Sequence, residues 1–204
     1  MYDFSILMAL TDFIPVAIFA VVAVLLQRDL YNKMPKYAFA CFAAGTINIF
    51  MAGFLKALWK LLYTLNICDF HVLNTMFLPT QSLGFLLAGL GILIMMGQRK
   101  QAALAVAPPL FSGTFLFVGM MVLGHGAICG SLAALAVRMK KKGLVAVFVL
   151  CFLCYMSMGY LSSRDSASVA INWIEQGVNT LGQALLLFGV IRLHRAGLRE
   201  FELK

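Results

Sequence analysis

Long apolar runs separated by short basic clusters dominate this chain of 204 residues. Hydrophobic residues make up 62% of the chain and charged residues 12%, whereas about 25% of the residues in a soluble globular domain are charged. This balance excludes a water-soluble enzyme, a disordered chain and a disulfide-stapled secreted module. It predicts an all-α, polytopic protein of the cell membrane, with the lipid bilayer as its first partner.

A membrane-spanning helix needs about 20 apolar residues, and five runs of the chain reach this length plainly. These runs are 5–27, 37–63, 72–96, 143–161 and 169–191. Another stretch, 101–138, is uncharged up to its last residue and is too long for one ordinary helix. We expect it to form two helices that separate near Gly124-His125-Gly126. The prediction is therefore a bundle of seven transmembrane helices (1–192) followed by a cytoplasmic tail (193–204).

The positive charges support this count. Every Lys and Arg except Lys56, Lys60 and Arg164 belongs to one of four clusters, at 28–36, 99–100, 138–142 and 192–204. Lys and Arg collect on the cytoplasmic side of membrane proteins, and seven helices bring all four clusters to that side. The N-terminus is then outside and the C-terminus cytoplasmic. The formal net charge of +8 accordingly indicates topology, and no nucleic-acid partner is predicted.

A weak internal repeat connects the third and seventh predicted helices. Both run in the same direction, so the repeat predicts two parallel three-helix units joined by a linker helix, a 3+1+3 plan. Parallel repeats occur in small transporters, although Leu-Gly pairs also recur by chance. The matching positions are Asn74, Ser82-Leu83-Gly84 and Gly91 in one helix and Asn172, Thr180-Leu181-Gly182 and Gly189 in the other.

This plan resembles, in architecture only, those of several small transporter and photoreceptor families. The sugar-transporting SWEET family carries a Pro-Gln pair in its helices, and Pro79-Thr80-Gln81 does not match that pair. Rhodopsins need a retinal-binding lysine in the last helix, and 169–191 contains no lysine. The resemblance therefore assigns no family.

Ionisable residues inside predicted spans indicate where a site would lie, because charges are expensive in a bilayer. Asp12, Lys56, Lys60 and Glu175 all fall in the outer half of the predicted bundle. Amide side chains on the same helices must face the bundle interior, since lipid offers them no hydrogen bonds. Trp173 could stack on a ligand or belong to an aromatic belt. The predicted ligand-binding residues are Asp12, Asn48, Lys56, Gln81, Asn172, Trp173, Glu175, Gln176 and Asn179.

The predicted function is a transporter or facilitator for a small polar or zwitterionic solute, anchored by Glu175 and Lys56. One alternative is a ligand-binding receptor or subunit that works with a partner. Another is an intramembrane enzyme with Glu175 or Asp12 as acid or base. The charges could also be structural, with Asp12 paired to Lys56 and Lys60 reaching the outer headgroups. A cavity open alternately to both sides favours transport, whereas a closed inner half favours a receptor or an enzyme. The oligomeric state stays open.

The cysteines and histidines predict no metal and no cofactor. Cys151 and Cys154 have the Cys-x-x-Cys spacing of redox motifs, but they lie in mid-span, where desolvation disfavours thiolates. His125 and Cys129 are one helical turn apart, which ordinary packing explains. The three histidines of the chain are scattered in the sequence and match no zinc or haem pattern.

Overall fold

The computed structural model describes residues 5–97, 114–161 and 169–202, and every regular element in these ranges is helical. The predicted all-α class is therefore confirmed for this part of the chain. A single turn of 3-10 helix, Tyr31–Lys33, follows the second helix. The helices are α1 (Ile6–Thr11), α2 (Phe13–Leu30), α3 (Lys36–Thr64), α4 (Val72–Thr75), α5 (Phe77–Met96), α6 (Thr114–Arg138), α7 (Leu144–Leu161) and α8 (Val169–Arg195).

Four helical segments in these ranges are long and apolar enough to cross a membrane: Ile6–Lys33, Lys36–Thr64, Val72–Met96 and Leu116–Arg138. The apolar part of α7 is shorter, at Leu144–Met158. Large apolar side chains also lie on the outer surface of the bundle, among them Leu123 at 70% and Val24 at 64% exposure. Such side chains are suited to lipid and not to water. These helices are compatible with an integral, multi-pass membrane protein.

Proline divides the first predicted span into two helices that meet at Asp12. Pro15 has no N–H group to donate to the carbonyl of Thr11, four residues earlier, so the helix is interrupted there. The Thr11 carbonyl instead accepts a hydrogen bond from Nε2 of Gln176 at 2.6 Å. The break between α4 and α5 lies at Met76, three residues before Pro79, just as Asp12 lies three residues before Pro15. The first break places the Asp12 carboxylate at a helix junction.

Helix α6 is continuous from Thr114 to Arg138, so the predicted separation near Gly124-His125-Gly126 is wrong. In an apolar environment a broken helix would leave backbone groups without partners, and glycine alone does not outweigh that cost. Gly124 instead allows close packing, because a Cβ atom there would lie 2.3 Å from the carbonyl carbon and oxygen of Phe85. The rest of the predicted helix pair, 101–113, lies outside the described residues, and the count of seven is not confirmed.

The long helices pack in a closed ring with the order α2, α3, α5, α6, α7 and α8, and α8 packs back on α2. Two neighbouring pairs in this ring are parallel. In α5 and α6, Phe85 lies beside Gly124. Gly89, one turn further along α5, lies beside Ala127, which is also further along α6. In α8 and α2, Gln176 contacts Thr11 near one end. His194 contacts Asp29 near the other end. The remaining neighbours are antiparallel.

The described basic clusters lie together at one end of the ring, which we call the basic end. It carries Arg28, Lys33, Lys36, 138–142 and 192–199. The first and last clusters meet directly, because Nζ of Lys33 donates to the carbonyl oxygens of Arg199, at 3.1 Å, and of Phe201. The basic pair 99–100 lies outside the part of the chain that the structure describes.

The C-terminal residues are packed against this end. Asp29 is 1% exposed, and its Oδ2 accepts a hydrogen bond from Nδ1 of His194 at 2.8 Å. Leu198, beyond the end of α8, is fully buried. Of the tail predicted at 193–204, the first residues up to Arg195 belong to α8 and Leu198 packs into the bundle.

The hydrophobic core occupies the half of the bundle near the basic end. Every long helix of the ring contributes fully buried members to it, among them Leu30, Phe42, Ile92, Leu135, Phe148 and Val190. The half near Asp12, Lys60 and Asn172, which we call the cavity end, is not filled in this way.

Candidate functional site

A cavity of about 280 Å³ opens between the helices at the cavity end. Helices α2, α3, α5, α6, α7 and α8 all contribute to its wall. Its polar lining consists of four charged residues, Asp12, Lys56, Lys60 and Glu175, and five amides, Gln81, Asn172, Gln176, Asn179 and Gln183. The polar residues of separate helices therefore meet around one space.

All the predicted ligand-binding residues except Asn48 and Trp173 line this cavity. Asn48 was grouped with Lys56 because both lie at multiples of four along α3. A separation of eight residues, however, turns a side chain by about 80° and moves it about 12 Å along the axis. Trp173 lies about 100° around α8 from Asn172 and is 39% exposed on the outer surface. Neither residue lies at the cavity.

Asp12 and Lys60 form an ion pair at the cavity, with Oδ2 and Nζ 2.6 Å apart. Each side chain is only 12% exposed. The pair joins the junction of α1 and α2 to the part of α3 at the cavity end. The sequence offered Lys56 as the partner of Asp12 in a structural pair. The structure instead pairs Asp12 with Lys60, one turn further along α3.

Lys56 and Glu175 face the cavity without an ion-pair partner among the described residues. The ammonium group of Lys56 lies 4.1 Å from the centre of the Phe77 ring, a cation–π contact that keeps it at the wall. Glu175 makes no ion pair within 4.0 Å in the described ranges. The cavity thus presents one cation and one anion on two helices, α3 and α8, that both flank α2.

The amides of α8 have two kinds of surroundings. Gln176 is engaged through its bond to Thr11, and Asn172 also has a polar or electrostatic partner. Gln183, deeper on the same helix, is 8% exposed, and its Oε1 has no hydrogen-bond partner in the described part of the chain. An unpaired buried amide oxygen is costly, so Gln183 presents a hydrogen-bond acceptor without a partner in the described part of the chain at the cavity wall.

Apolar side chains form the deeper wall of the cavity, among them Phe19, Phe50, Met121, Val122 and Tyr155. Sequence reasoning missed these residues, since an apolar side chain in an apolar helix carries no local signal of what it faces. The cavity is therefore amphipathic: its charges and amides lie on α3, α5, α8 and the α1–α2 junction, and its apolar wall comes mainly from α2, α6 and α7.

Packed side chains close the cavity toward the basic end. The ring of Tyr155 stacks on His125 with centroids 4.1 Å apart, and Phe85 packs edge-on against both rings. A second cavity beneath them holds only about 10 Å³ and is lined mostly by apolar residues, which is about the space of one water molecule. The structure thus has a wide cavity at the cavity end and a closed half toward the basic end.

The geometry of this site combines two opposite, unpaired charges, several amides and an apolar wall. The basic end lies on the far side of a packed core. Comparison of the chain with protein-family models, with curated proteins and with solved structures finds no match.

Proposed function

We propose that this membrane protein binds a small zwitterionic solute with an apolar group at the cavity end and acts as its transporter or facilitator. The observation that carries the proposal is the pair of opposite charges, Lys56 and Glu175, which face one cavity without forming an ion pair. Burying two unpaired charges lowers stability unless a ligand or water compensates them. A zwitterion compensates both at once.

The chemistry of the lining suggests the orientation of such a solute. Its anionic group would bind Nζ of Lys56 and its ammonium group the carboxylate of Glu175. Asn179 and Gln183 offer further hydrogen bonds, and the apolar group would lie against Phe19 and neighbouring side chains. An engineered cavity of about 150 Å³ binds benzene. The larger space here, about 280 Å³, suits a molecule that carries an apolar group of similar size and two charged ends.

The proposed topology retains seven crossings with the N-terminus outside. Helices α5 and α6 are parallel, so Met96 and Thr114 stand at opposite ends of the bundle. In the proposed topology the chain between them returns from one end to the other, and this return is the seventh crossing beside those of the six long described helices. The basic end is then cytoplasmic by the positive-inside rule, and the cavity faces outward.

The order of the ring supports two parallel three-helix units, α2–α3–α5 and α6–α7–α8. In each unit the third helix packs on the second, α5 on α3 and α8 on α7. The third helix also forms a parallel pair with the first helix of the other unit, α5 with α6 and α8 with α2. The repeated glycines behave alike: a Cβ atom on Gly91 would lie 2.8 Å from Cβ of Phe42 in α3. One on Gly189 would lie 2.6 Å from the ring of Phe148 in α7. A solute cavity between repeated units is the arrangement of many transporters.

The closed inner half favours a second candidate, a receptor that binds the same solute and does not move it. A transporter needs a second conformation in which the packing of Phe85, His125 and Tyr155 opens toward the basic end. A receptor needs no such opening. Binding and movement must therefore be measured separately.

The binding test uses leucine, which has both charges and an apolar group, with leucinamide and N-acetyl-leucine as probes that each lack one charge. We expect purified protein in nanodiscs to bind leucine more tightly than either probe. Glu175→Gln and Lys56→Met should each weaken leucine binding by about 10–100-fold, the value of one charge-assisted hydrogen bond. Glu200→Gln, at the basic end, is the matched control and should bind normally.

Equal affinity of the three probes, or unchanged leucine affinity in both cavity variants, would contradict the proposed site. Uptake of labelled leucine into liposomes containing the protein separates the two functions. Uptake that is lost in Glu175→Gln supports a transporter, whereas binding without uptake supports a receptor.

A further inference from the structure

Three metal-ligating side chains meet beneath the floor of the cavity. Nε2 of His125 lies 3.4 Å from Sγ of Cys129 and 3.8 Å from Sγ of Cys151. The two sulfur atoms are 4.0 Å apart. All three residues are buried, at 1%, 4% and 1% exposure. The donor atoms therefore form a compact triangle in the apolar interior, and we call these residues the thiol–imidazole cluster.

Two helices hold this cluster in place. His125 and Cys129 are one turn apart on α6 and share a face, and Cys151 approaches from α7. Sγ of Cys151 also lies 3.4 Å from the carbonyl oxygen of Gly182. The cysteine beside Cys151 is thus Cys129 and not Cys154, the partner that the Cys-x-x-Cys spacing suggested. Only folding brings the cluster together, which is why the sequence indicated no metal set.

The ring of His125 is fixed with its two nitrogen atoms in different surroundings. Tyr155 and Phe152 lie parallel to it, at 4.1 and 6.2 Å between ring centres. Nε2 points to the two sulfur atoms, whereas Nδ1 is buried without a hydrogen-bond partner in the ranges described. A neutral imidazole that carries its proton on Nδ1 presents the Nε2 lone pair to the sulfurs, which is the form that ligates a metal.

The size of the triangle fits a metal ion at its centre. With bonds of about 2.3 Å to sulfur and about 2.0 Å to nitrogen, an ion in the plane of three donors separates the sulfurs by about 4.0 Å. It separates sulfur from nitrogen by about 3.7 Å. The observed separations are 4.0 Å between the sulfurs and 3.4 and 3.8 Å from sulfur to nitrogen. The side chains need almost no rearrangement to coordinate such an ion.

We propose that the thiol–imidazole cluster binds one cuprous ion. Thiolate and thioether ligands select soft ions such as Cu(I), and three donors satisfy a monovalent ion. Zinc in structural sites takes four ligands. Binding forms a copper–sulfur bond as one thiol loses its proton to solvent through the cavity, while the second sulfur and the imidazole donate lone pairs. The copper keeps its oxidation state, and the centre is electrically neutral, as an apolar interior requires.

The cavity above the cluster contains sulfur ligands that could guide a cuprous ion to it. Met121 lies one turn outward from His125 on α6 and lines the cavity, and its thioether is a ligand that Cu(I) accepts. Met156 and Met158 of α7 also line the cavity. Tyr155 separates this space from the cluster, so an ion would enter as that ring moves aside.

The test is a titration of the full-length protein in nanodiscs with cuprous ion under anaerobic, reducing conditions, against a chromogenic Cu(I) chelator. We expect one ion per chain. Changes to groups that merely support a metal ligand cost about 10–100-fold in affinity. Cys129→Ala and Cys151→Ala, which each remove a ligand, should therefore weaken binding by about 100-fold or more. Cys154→Ala, on the same helix as Cys151, and Cys41→Ala are matched controls that should bind normally.

A second measurement does not depend on how well the variants fold. X-ray absorption of the copper-loaded wild-type protein should show sulfur and nitrogen neighbours in a three-coordinate shell. Binding of less than one ion in ten chains, a shell without sulfur, or zinc binding as tight as cuprous binding would overturn the proposal. Glu175→Gln should retain full copper affinity, so this proposal and that of the zwitterion site can fail independently.

Discussion

At the scale of single residues, the charged side chains of the cavity divide into two kinds. Asp12 and Lys60 neutralise each other across the junction of α1, α2 and α3. Lys56 and Glu175 make no ion pair with a described residue. A bilayer raises the cost of any unpaired charge, so the paired residues support stability, and under the proposed function the other two bind the solute.

The ion pair predicts an asymmetric mutational response. Lys60→Met leaves the Asp12 carboxylate without its partner, and breaking a buried pair costs about 3–5 kcal/mol. The double change Asp12→Asn with Lys60→Met removes both charges and should recover much of that loss. Thermal unfolding in detergent measures the effect, with the exposed Lys141→Met as control. A double variant less stable than Lys60→Met alone would show that the pair has another role.

The sequence predicted most of the charged and amide lining because polar side chains of a membrane-spanning helix find hydrogen-bond partners only in the bundle interior. Depth along each helix was enough to bring Lys56, Gln81 and Glu175 to one level. Rotation around the helix was less well predicted, since small angular errors accumulate from turn to turn, as they did for Asn48. The apolar wall and the meeting of Cys129 with Cys151 depend on how helices pack, and no local pattern encodes that.

At the scale of helices, close backbone contacts fix the ring. Without a hydrophobic drive between helices in lipid, van der Waals contact through small residues holds them together. A Cβ atom on Gly45 of α3 would lie 2.3 Å from the backbone nitrogen of Ala88 in α5. Gly124 has the same role between α6 and α5.

This packing predicts opposite effects for two glycines of α6. Gly124→Ala forces α6 away from Phe85 and should destabilise the protein by roughly 1–3 kcal/mol or more, as overpacking does. Gly130 has no atom within 4 Å of a built Cβ, so Gly130→Ala should be neutral or gain up to about 1 kcal/mol of helix stability. Thermal unfolding and the monodisperse fraction of each variant provide the comparison. Equal losses in both would argue against the close contact.

The helix ends illustrate what a sequence pattern can and cannot locate. Apolar runs predicted α3 and α7 to within one residue of their observed ends, because a span has a required length. The break at Asp12 went unpredicted although Pro15 lies inside the predicted run 5–27, because transmembrane helices tolerate proline in their interior. The glycines at 124 and 126 indicated a break that does not exist, because the same residue type serves turns and close packing.

At the scale of the whole molecule, the two ends differ in charge and in packing. The basic end is closed by a full core and by the C-terminal residues, and the cavity end is polar and open. Basic clusters predicted which helix ends lie together from charge alone, since the energetic preference is strong. They could not show which helices are neighbours.

A labelling experiment tests the proposed orientation and the additional crossing. Cys68, between α3 and α4, is an exposed cysteine at the cavity end. A membrane-impermeant maleimide should label it in intact cells, and Cys68→Ser should abolish that label. In the Cys68→Ser background, Lys141→Cys should react only after permeabilisation. Reaction of both positions from outside would imply two crossings between them and would exclude the proposed three.

The parallel course of α5 and α6 bears on how such a chain could have arisen. A unit with an odd number of crossings ends on the side opposite to its start, so a tandem copy of it would enter the bilayer upside down. Under the proposed topology, one added passage between Met96 and Thr114 gives both three-helix units the same direction. Its removal would then invert the half of the protein that carries Glu175.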